Sequence, residues 1–424
     1  MTGPDETPFL PPSVQRRNIF YVTLDGVLIG LMGAAGSFVS VFVVRLGASA
    51  FWVSMLSSIP AAIRLLMALP WSQFAQKQPR PQRVFALARL TAHTAYALLL
   101  IIPFFLNNEW TARIIVIAWS LIAFPGSLQS VMFSLVMGYA VPPERRSFMM
   151  SRRWMFMGVA KMVSLPLISQ LIERAPFPLG YQLAFGINCV IAVGALYTAL
   201  QVRSAHRPSG LTQPNTRPTS LRASLGDEIA AVWQAKAFLG YISGRSMRNL
   251  GIAMVAAAVP IYWVKHLEVT DTWVGYFNTA LSAATLLAYL PWVRVKRKIG
   301  TWNTLILAVF GTTLYPALLS LTRSPLAVLP VIAFHGFAGA GLNLAYFDTL
   351  LATCPPDKRE RFIALNVTAV NSTSFIGPAI GAALLAALPI RWVLVIGSLT
   401  SLLGLIIFIV VGARAKIPQQ LETG

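Results

Sequence analysis

The chain has 424 residues, of which 56% are apolar and 11% charged, against about 25% charged in an average soluble domain. With a mean hydropathy of +0.65, it has too few polar side chains to cover a water-soluble globule of 46.2 kDa, so lipid is its natural solvent and a soluble enzyme is excluded. The net charge of +20 comes from 34 basic and 14 acidic residues, too sparse and too embedded in apolar sequence for a nucleic-acid binder. Two cysteines, Cys189 and Cys354, without a CxxC, build neither a disulfide framework nor a thiolate metal site.

A helix needs roughly 20 apolar residues to cross the hydrocarbon core. In chain order that rule predicts twelve spans, at 19–44, 50–71, 84–106, 113–140, 154–173, 181–202, 237–264, 272–293, 303–322, 327–352, 363–388 and 392–412. The apolar run after Arg16 and Arg17 is too long for a signal-peptide core. The loops after the even-numbered spans, together with both termini, hold 23 Lys and Arg, and the opposite loops hold 6. By the positive-inside rule both termini are expected in the cytoplasm. Most of the basic charge is thus a topology signal.

The segment 203–236, rich in Ser, Thr, Pro, Arg and Gly, reads as a cytoplasmic linker between two six-helix halves, 19–202 and 237–412, with tails at 1–18 and 413–424. Its Ser224-Leu-Gly-Asp227 is a candidate capping box opening an amphipathic segment. The halves are internally similar. A shift of 221 residues aligns Trp52 with Trp273 and Leu69-Pro70-Trp71 with Leu290-Pro291-Trp292, and a shift of 213 aligns Pro142-Pro-Glu-Arg-Arg146 with Pro355-Pro-Asp-Lys-Arg359. The fold expected is an all-α polytopic membrane protein of two parallel repeats, as in transporters that alternate access around a midplane site.

Twelve spans as six plus six, a basic loop after spans two and eight, and a Pro-Pro-acidic-basic loop after spans four and ten resemble the major facilitator superfamily (MFS) over essentially the whole chain. The family's gating loop corresponds here to Ser72 through Arg80, in which Gln76 stands for the usual Asp, Pro79 for a Gly, and Lys77 and Arg80 keep the basic positions. In the second half Arg297 replaces the Asp, while Lys298 and Gly300 fit. Of the fifth-helix antiporter signature, Ser164-Leu165-Pro166 is a weak trace and Gly377-Pro378-Ala-Ile-Gly381, in the eleventh span, a clearer counterpart. The resemblance implies a central cavity lined by the first, fourth, seventh and tenth spans. It further implies a secondary active transporter of a small organic solute, without cofactor or metal, monomeric, in a bacterial inner (plasma) membrane.

Ionisable residues inside spans are expensive and are the default functional candidates. Asp25 and Arg64 reach a similar depth on consecutive spans, which allows them to pair, either as a coupling-proton carboxylate tuned by its arginine or as a structural ion pair. The other reading of Asp25 is that it snorkels toward Arg16 and Arg17, and His335 is a further titratable candidate. Arg245 and Arg248 are three apart on the seventh span and share a face, where they could clamp a carboxylate or phosphate. Lys161 in the fifth span, Gln129 beside Ser127, Ser130 and Ser134 in the fourth, and Asn343 in the stripe His335, Gly339, Asn343, Tyr346 of the tenth complete the substrate candidates. Arg89 reads as an interfacial anchor, Asp348 as lying near a cytoplasmic end, and Gly26, Gly30, Gly33 and Gly36 as a surface for close helix approach. Five basic residues against two acidic ones inside the spans favour an anionic substrate. The rival readings are a non-transporting receptor or assembly factor on an MFS-like scaffold and a drug efflux antiporter. The partners expected are the solute, membrane lipid and protons.

Overall fold

The computed structural model describes residues 10–203, 233, 235–355 and 359–415, without the side chains of Gln76, Pro143, Glu360 and 412–415. The Ser224–Asp227 segment, most of the linker and the second Pro-Pro loop beyond Pro355 lie outside the described residues. The helices are α1 (Pro12–Gly36), α2 (Val39–Arg45), α3 (Ala50–Gln76), α4 (Pro81–Ile101), α5 (Asn108–Gly138), α6 (Pro143–Arg174), α7 (Leu179–Gln201), α8 (Lys236–Met254), α9 (Ala258–Ile261), α10 (Asp271–Leu321), α11 (Pro325–Thr353), α12 (Arg359–Ala387) and α13 (Ile390–Ala415).

Among the described residues eleven helical stretches are long and apolar enough to cross a membrane, α1 with α2 and α8 with its continuation to His266 each counting as one. One of the eleven, α10, has 51 residues and contains two helices, because Gly300 with φ 78° and ψ 167° interrupts it. Divided there, the set becomes the twelve spans expected from hydropathy. The basic loop anticipated at 294–302 is therefore a corner between two helices, made at the one residue type that takes positive φ without a steric penalty.

The helices also run past the expected spans. Pro12, Pro81, Pro143 and Pro325 open theirs, as suits a residue with fixed φ and no N–H to lose in the first turn. Consequently Arg16 and Arg17 lie on α1, and Arg145, Arg146, Arg152 and Arg153 lie on α6 instead of in a loop. Asn107 caps α5, its side chain accepting from Trp110 N at 3.0 Å, and Glu109 in the first turn favours the positive end of the dipole.

Two compact units emerge: Met1–Val39 with Leu66–Arg217, and Ser40–Leu65 with Pro218–Gly424. Within the first, α1 packs on α6 and α7, and α4 on α5 and α7. Within the second, α10 packs on α11 and α13, and α8 on α12 and α13. Buried polar ties close each unit: Asn18 Nδ2 donates to Ala140 O at 2.8 Å and Arg203 O at 2.7 Å, and Arg45 Nε meets Asp271 Oδ1 at 3.1 Å while its Nη2 donates to Val269 O at 2.8 Å. Large apolar side chains such as Leu69, Val190, Leu287 and Leu321 are more than 70% exposed, as a lipid-facing surface requires.

The internal repeat recurs as hydrogen bonds. Trp71 Nε1 donates to Ser127 Oγ at 2.9 Å and lies 3.3 Å from Phe124 O; Trp292 Nε1 donates to Phe337 O at 2.7 Å. The two tryptophans are related by the first sequence offset and the two phenylalanines by the second, so one indole-to-backbone tie joins the second span to the fourth in each repeat.

The α1 glycines do what close approach demands. A Cβ on Gly30 would sit 2.3 Å from Met157 O of α6, and one on Gly26 would sit 2.6 Å from Arg153 O. Gly30→Leu is expected to cost about 1–3 kcal/mol or more through overpacking, read as a lower melting temperature of the detergent-purified protein; an unchanged midpoint would show that α1 and α6 do not meet there.

Candidate functional site

Four of the anticipated substrate and coupling residues meet in one place in the second unit. A cavity of about 360 Å³ is lined by Arg245, Arg248 and Asn249 of α8, by Leu281, Thr285 and Thr312 of α10, and by His335, Asn343 and Tyr346 of α11, with small residues between them. Arg245, Arg248 and Asn249 lie at helical spacing on α8, and His335, Gly339, Asn343 and Tyr346 form the stripe on α11. The cavity is therefore two helical faces brought opposite each other.

Its charge is not balanced by any acidic side chain among the described lining residues. Arg245 Nη1 lies 2.7 Å from Tyr241 Oη, and its guanidinium stands 4.2 Å from the centre of the Tyr346 ring, a cation–π arrangement that fixes its direction. Tyr241 in turn donates to Tyr346 O at 3.0 Å. Arg248 Nε, His335 Nδ1 and Tyr346 Oη are buried without a hydrogen-bond partner among the described residues. The His335 ring lies 4.3 Å from that of Tyr315. Asn249 Nδ2 is held at 2.8 Å from Thr373 Oγ1 and 3.0 Å from Ser374 Oγ, tying α8 to α12. Among the described residues no carboxylate lines the cavity.

The acidic groups are engaged elsewhere. Asp25 does not pair with Arg64: its Oδ1 accepts from Arg89 Nη1, and its Oδ2 lies 3.1 Å from Arg153 Nε. All three are buried, with exposures of 3%, 1% and 5% for Asp25, Arg89 and Arg153, and the guanidiniums lie 4.5 Å from the ring centres of Phe85 and Phe133 respectively. Arg89 is accordingly no interfacial anchor, and Arg153 no loop charge; together with Asp25 they tie α1, α4 and α6. Arg64 is exposed and forms no ion pair among the described residues. Asp348 pairs with Lys296, so the ion pair beside the second basic corner uses Lys296, while Arg297 and Lys298 are exposed. Lys77 and Arg80 are likewise exposed, and the Gln76 side chain lies outside the described residues.

The remaining candidates stay apart from the cavity. Lys161 is half-buried in the first unit, its aliphatic stem beside Gly33. Ser127, Ser130 and Ser134 hydrogen-bond to carbonyls of their own helix, and Gln129 is half-buried among them. The Gly377 to Gly381 segment packs on the end of α8 at Ala253 and Met254, a helix contact and not a lining of the cavity. Asn249, four residues after Arg245, and the hydroxyls of α10 were absent from the sequence-derived set; the helical spacing from Arg245 points to the first, while the α10 positions require the fold.

Fold and geometry define an all-α polytopic membrane protein of two six-helix repeats. Residues 242–423 match the family model of the Major Facilitator Superfamily. A bacterial homologue of the iron transporter ferroportin in an inward-facing state superposes with a TM-score of 0.73 at 16% identity, covering 94% of this chain and 99% of that one. The nucleoside transporter NupG gives 0.67 at 12% identity over 93% and 98%, and the peptide transporter POT in complex with sulfate gives 0.68 at 12% over 96% of each. No curated protein sequence matches the chain. The second half of the chain is thus similar in sequence to the Major Facilitator Superfamily, and nearly its whole length shares the fold of these transporter structures.

Asp25→Asn leaves two buried guanidiniums short of their carboxylate, and breaking a buried pair in this way costs about 3–5 kcal/mol. A clearly lower melting temperature and a smaller folded fraction by size exclusion are expected, partly recovered in Asp25→Glu. A variant as stable as the parent would contradict the structural role.

Proposed function

We propose that the protein is a secondary active transporter that moves a small anionic organic solute by alternating access, with the cavity of the second unit as a binding site for that solute. One observation carries this reading: Arg245 and Arg248 line a cavity that has no carboxylate among its described lining residues. Both arginines are half-buried, and a charge partly withdrawn from water without a counter-charge is disfavoured, so the missing partner is most economically the ligand. Arg245, held by Tyr241 and Tyr346, presents its remaining donors without further ordering. Asn343 and the unpartnered Tyr346 Oη and His335 Nδ1 supply the directional contacts that select a solute.

Proton coupling belongs to the same cavity in this reading. Both oxygens of Asp25 are occupied by arginines, which argues against that residue as the proton carrier. His335, inside the cavity with one nitrogen unpartnered, is the better candidate. Gln129 and Lys161 remain candidates for solute contacts from the first unit. The loop charges support a plasma (inner) membrane orientation with both termini cytoplasmic.

The test is flux into proteoliposomes with a panel of labelled carboxylate- and phosphate-bearing solutes beside neutral analogues. Uptake of an anionic solute is expected, falling about tenfold or more in Arg245→Gln, since a hydrogen bond to a charged group is worth about 1.5–3 kcal/mol. Uptake that is confined to neutral solutes, or indifferent to that substitution in a correctly folded variant, would refute the reading.

A further inference from the structure

The two cavity arginines differ in how they are held, and that difference bears on the charge of the solute. Arg245 is tied to Tyr241 Oη and lies over the Tyr346 ring. Arg248 has neither contact; its Nε is buried without a partner. It is fixed to the scaffold through its backbone instead, with Ser401 Oγ donating to its carbonyl at 3.1 Å. A Cβ on Gly404 would come within 2.9 Å of the Arg248 Cβ, so α13 packs hard against the root of this side chain.

Charge accounting within the second unit then leaves a definite remainder. Among the acidic residues of this unit with described side chains, Asp271 is paired with Arg45 and Asp348 with Lys296. Glu268 is exposed, outside the cavity lining. Two guanidiniums therefore face one cavity with a deficit of two negative charges. A monoanionic solute would neutralise one and leave the other desolvated; a solute bearing two negative charges neutralises both.

We infer that the solute is a dianion, a dicarboxylate or a phosphate monoester, and that Arg248 is the residue that reads its second charge while Arg245 anchors the first. This rests on the anion-site reading above and adds charge number and a division of labour to it. The polar lining of Asn249, Thr285, Thr312 and Asn343 suits a hydrophilic dianion better than a lipophilic one.

The experiment is ligand-dependent thermal stability of the purified full-length protein at constant ionic strength. The probes are succinate against butyrate, and glycerol phosphate against its methyl diester, at a pH where the first of each pair carries two charges. For the parent, at least one dianion is expected to stabilise with a midpoint concentration about tenfold or more below that of its monoanionic mate. In Arg248→Gln that advantage should shrink to about twofold or less, and in Arg248→Lys, which keeps the charge, it should return in part. The pair that shows the advantage tells carboxylate from phosphate. Equal midpoints within each pair that both rise in Arg245→Gln would overturn the dianion inference and leave the anion site standing. Midpoints insensitive to either arginine would overturn both. A dianion advantage that survives Arg248→Gln, or no stabilisation by either dianion, would also overturn the inference.

Discussion

In hydrocarbon the costly group is the ion without a partner, and the described part of this chain is organised around that cost. Asp25 is shared by Arg89 and Arg153, Asp348 is taken by Lys296, and Asp271 is taken by Arg45. The Asp25 cluster is buried, the other two pairs are partly exposed, and each ties distinct elements: α1 with α4 and α6, α10 with α11, and α2 with the start of α10. Against that background the exceptions stand out. Arg245 and Arg248 face a cavity with no acid in its lining, and the functional reading follows from the imbalance.

The two repeats share architecture and diverge in how they use charge. The indole ties of Trp71 and Trp292 to equivalent backbone positions show how literally the helical frame is repeated. At the positions that the two sequence offsets give for Asp25 and Arg153 stand Ser246 and Asn366. The first unit thus spends a buried ion cluster on holding α1, α4 and α6 together. The second has neutral residues at the equivalent points and two unpaired arginines close to one of them. In a chain of two related bundles, that asymmetry is a physical route to a stable frame in one unit and a positively charged cavity face in the other.

Much of this was legible in the sequence, because membrane helices announce themselves by length and hydropathy and because helical spacing groups side chains onto faces. Arg245 with Arg248, and His335 with Asn343 and Tyr346, could be grouped by spacing alone, and the fold sets the two faces opposite one another. Partner choice was less accessible. Equal depth on neighbouring spans made Arg64 the expected mate of Asp25, but depth says nothing about which way around the helix axis a side chain points, and the acid turns toward α4 and α6. Arg153 was hidden by a different effect. Its neighbours Arg145, Arg146 and Arg152 make a loop-like basic cluster, and only the helix opened by Pro143 carries the fourth arginine inward. The corner that separates the two spans of α10 likewise depends on the backbone conformation of a single residue, Gly300.

The central claim is that an anion supplied from outside the protein completes the charge of the Arg245 and Arg248 cavity. Its most direct test is a crystal structure of the purified protein grown with selenate, whose selenium is located by anomalous scattering. The account predicts an anomalous peak within hydrogen-bonding reach of both guanidiniums, lost in the Arg245→Gln, Arg248→Gln double variant. Selenate found only at exposed lysines and arginines, with the cavity arginines turned onto carboxylates of the protein itself, would contradict it.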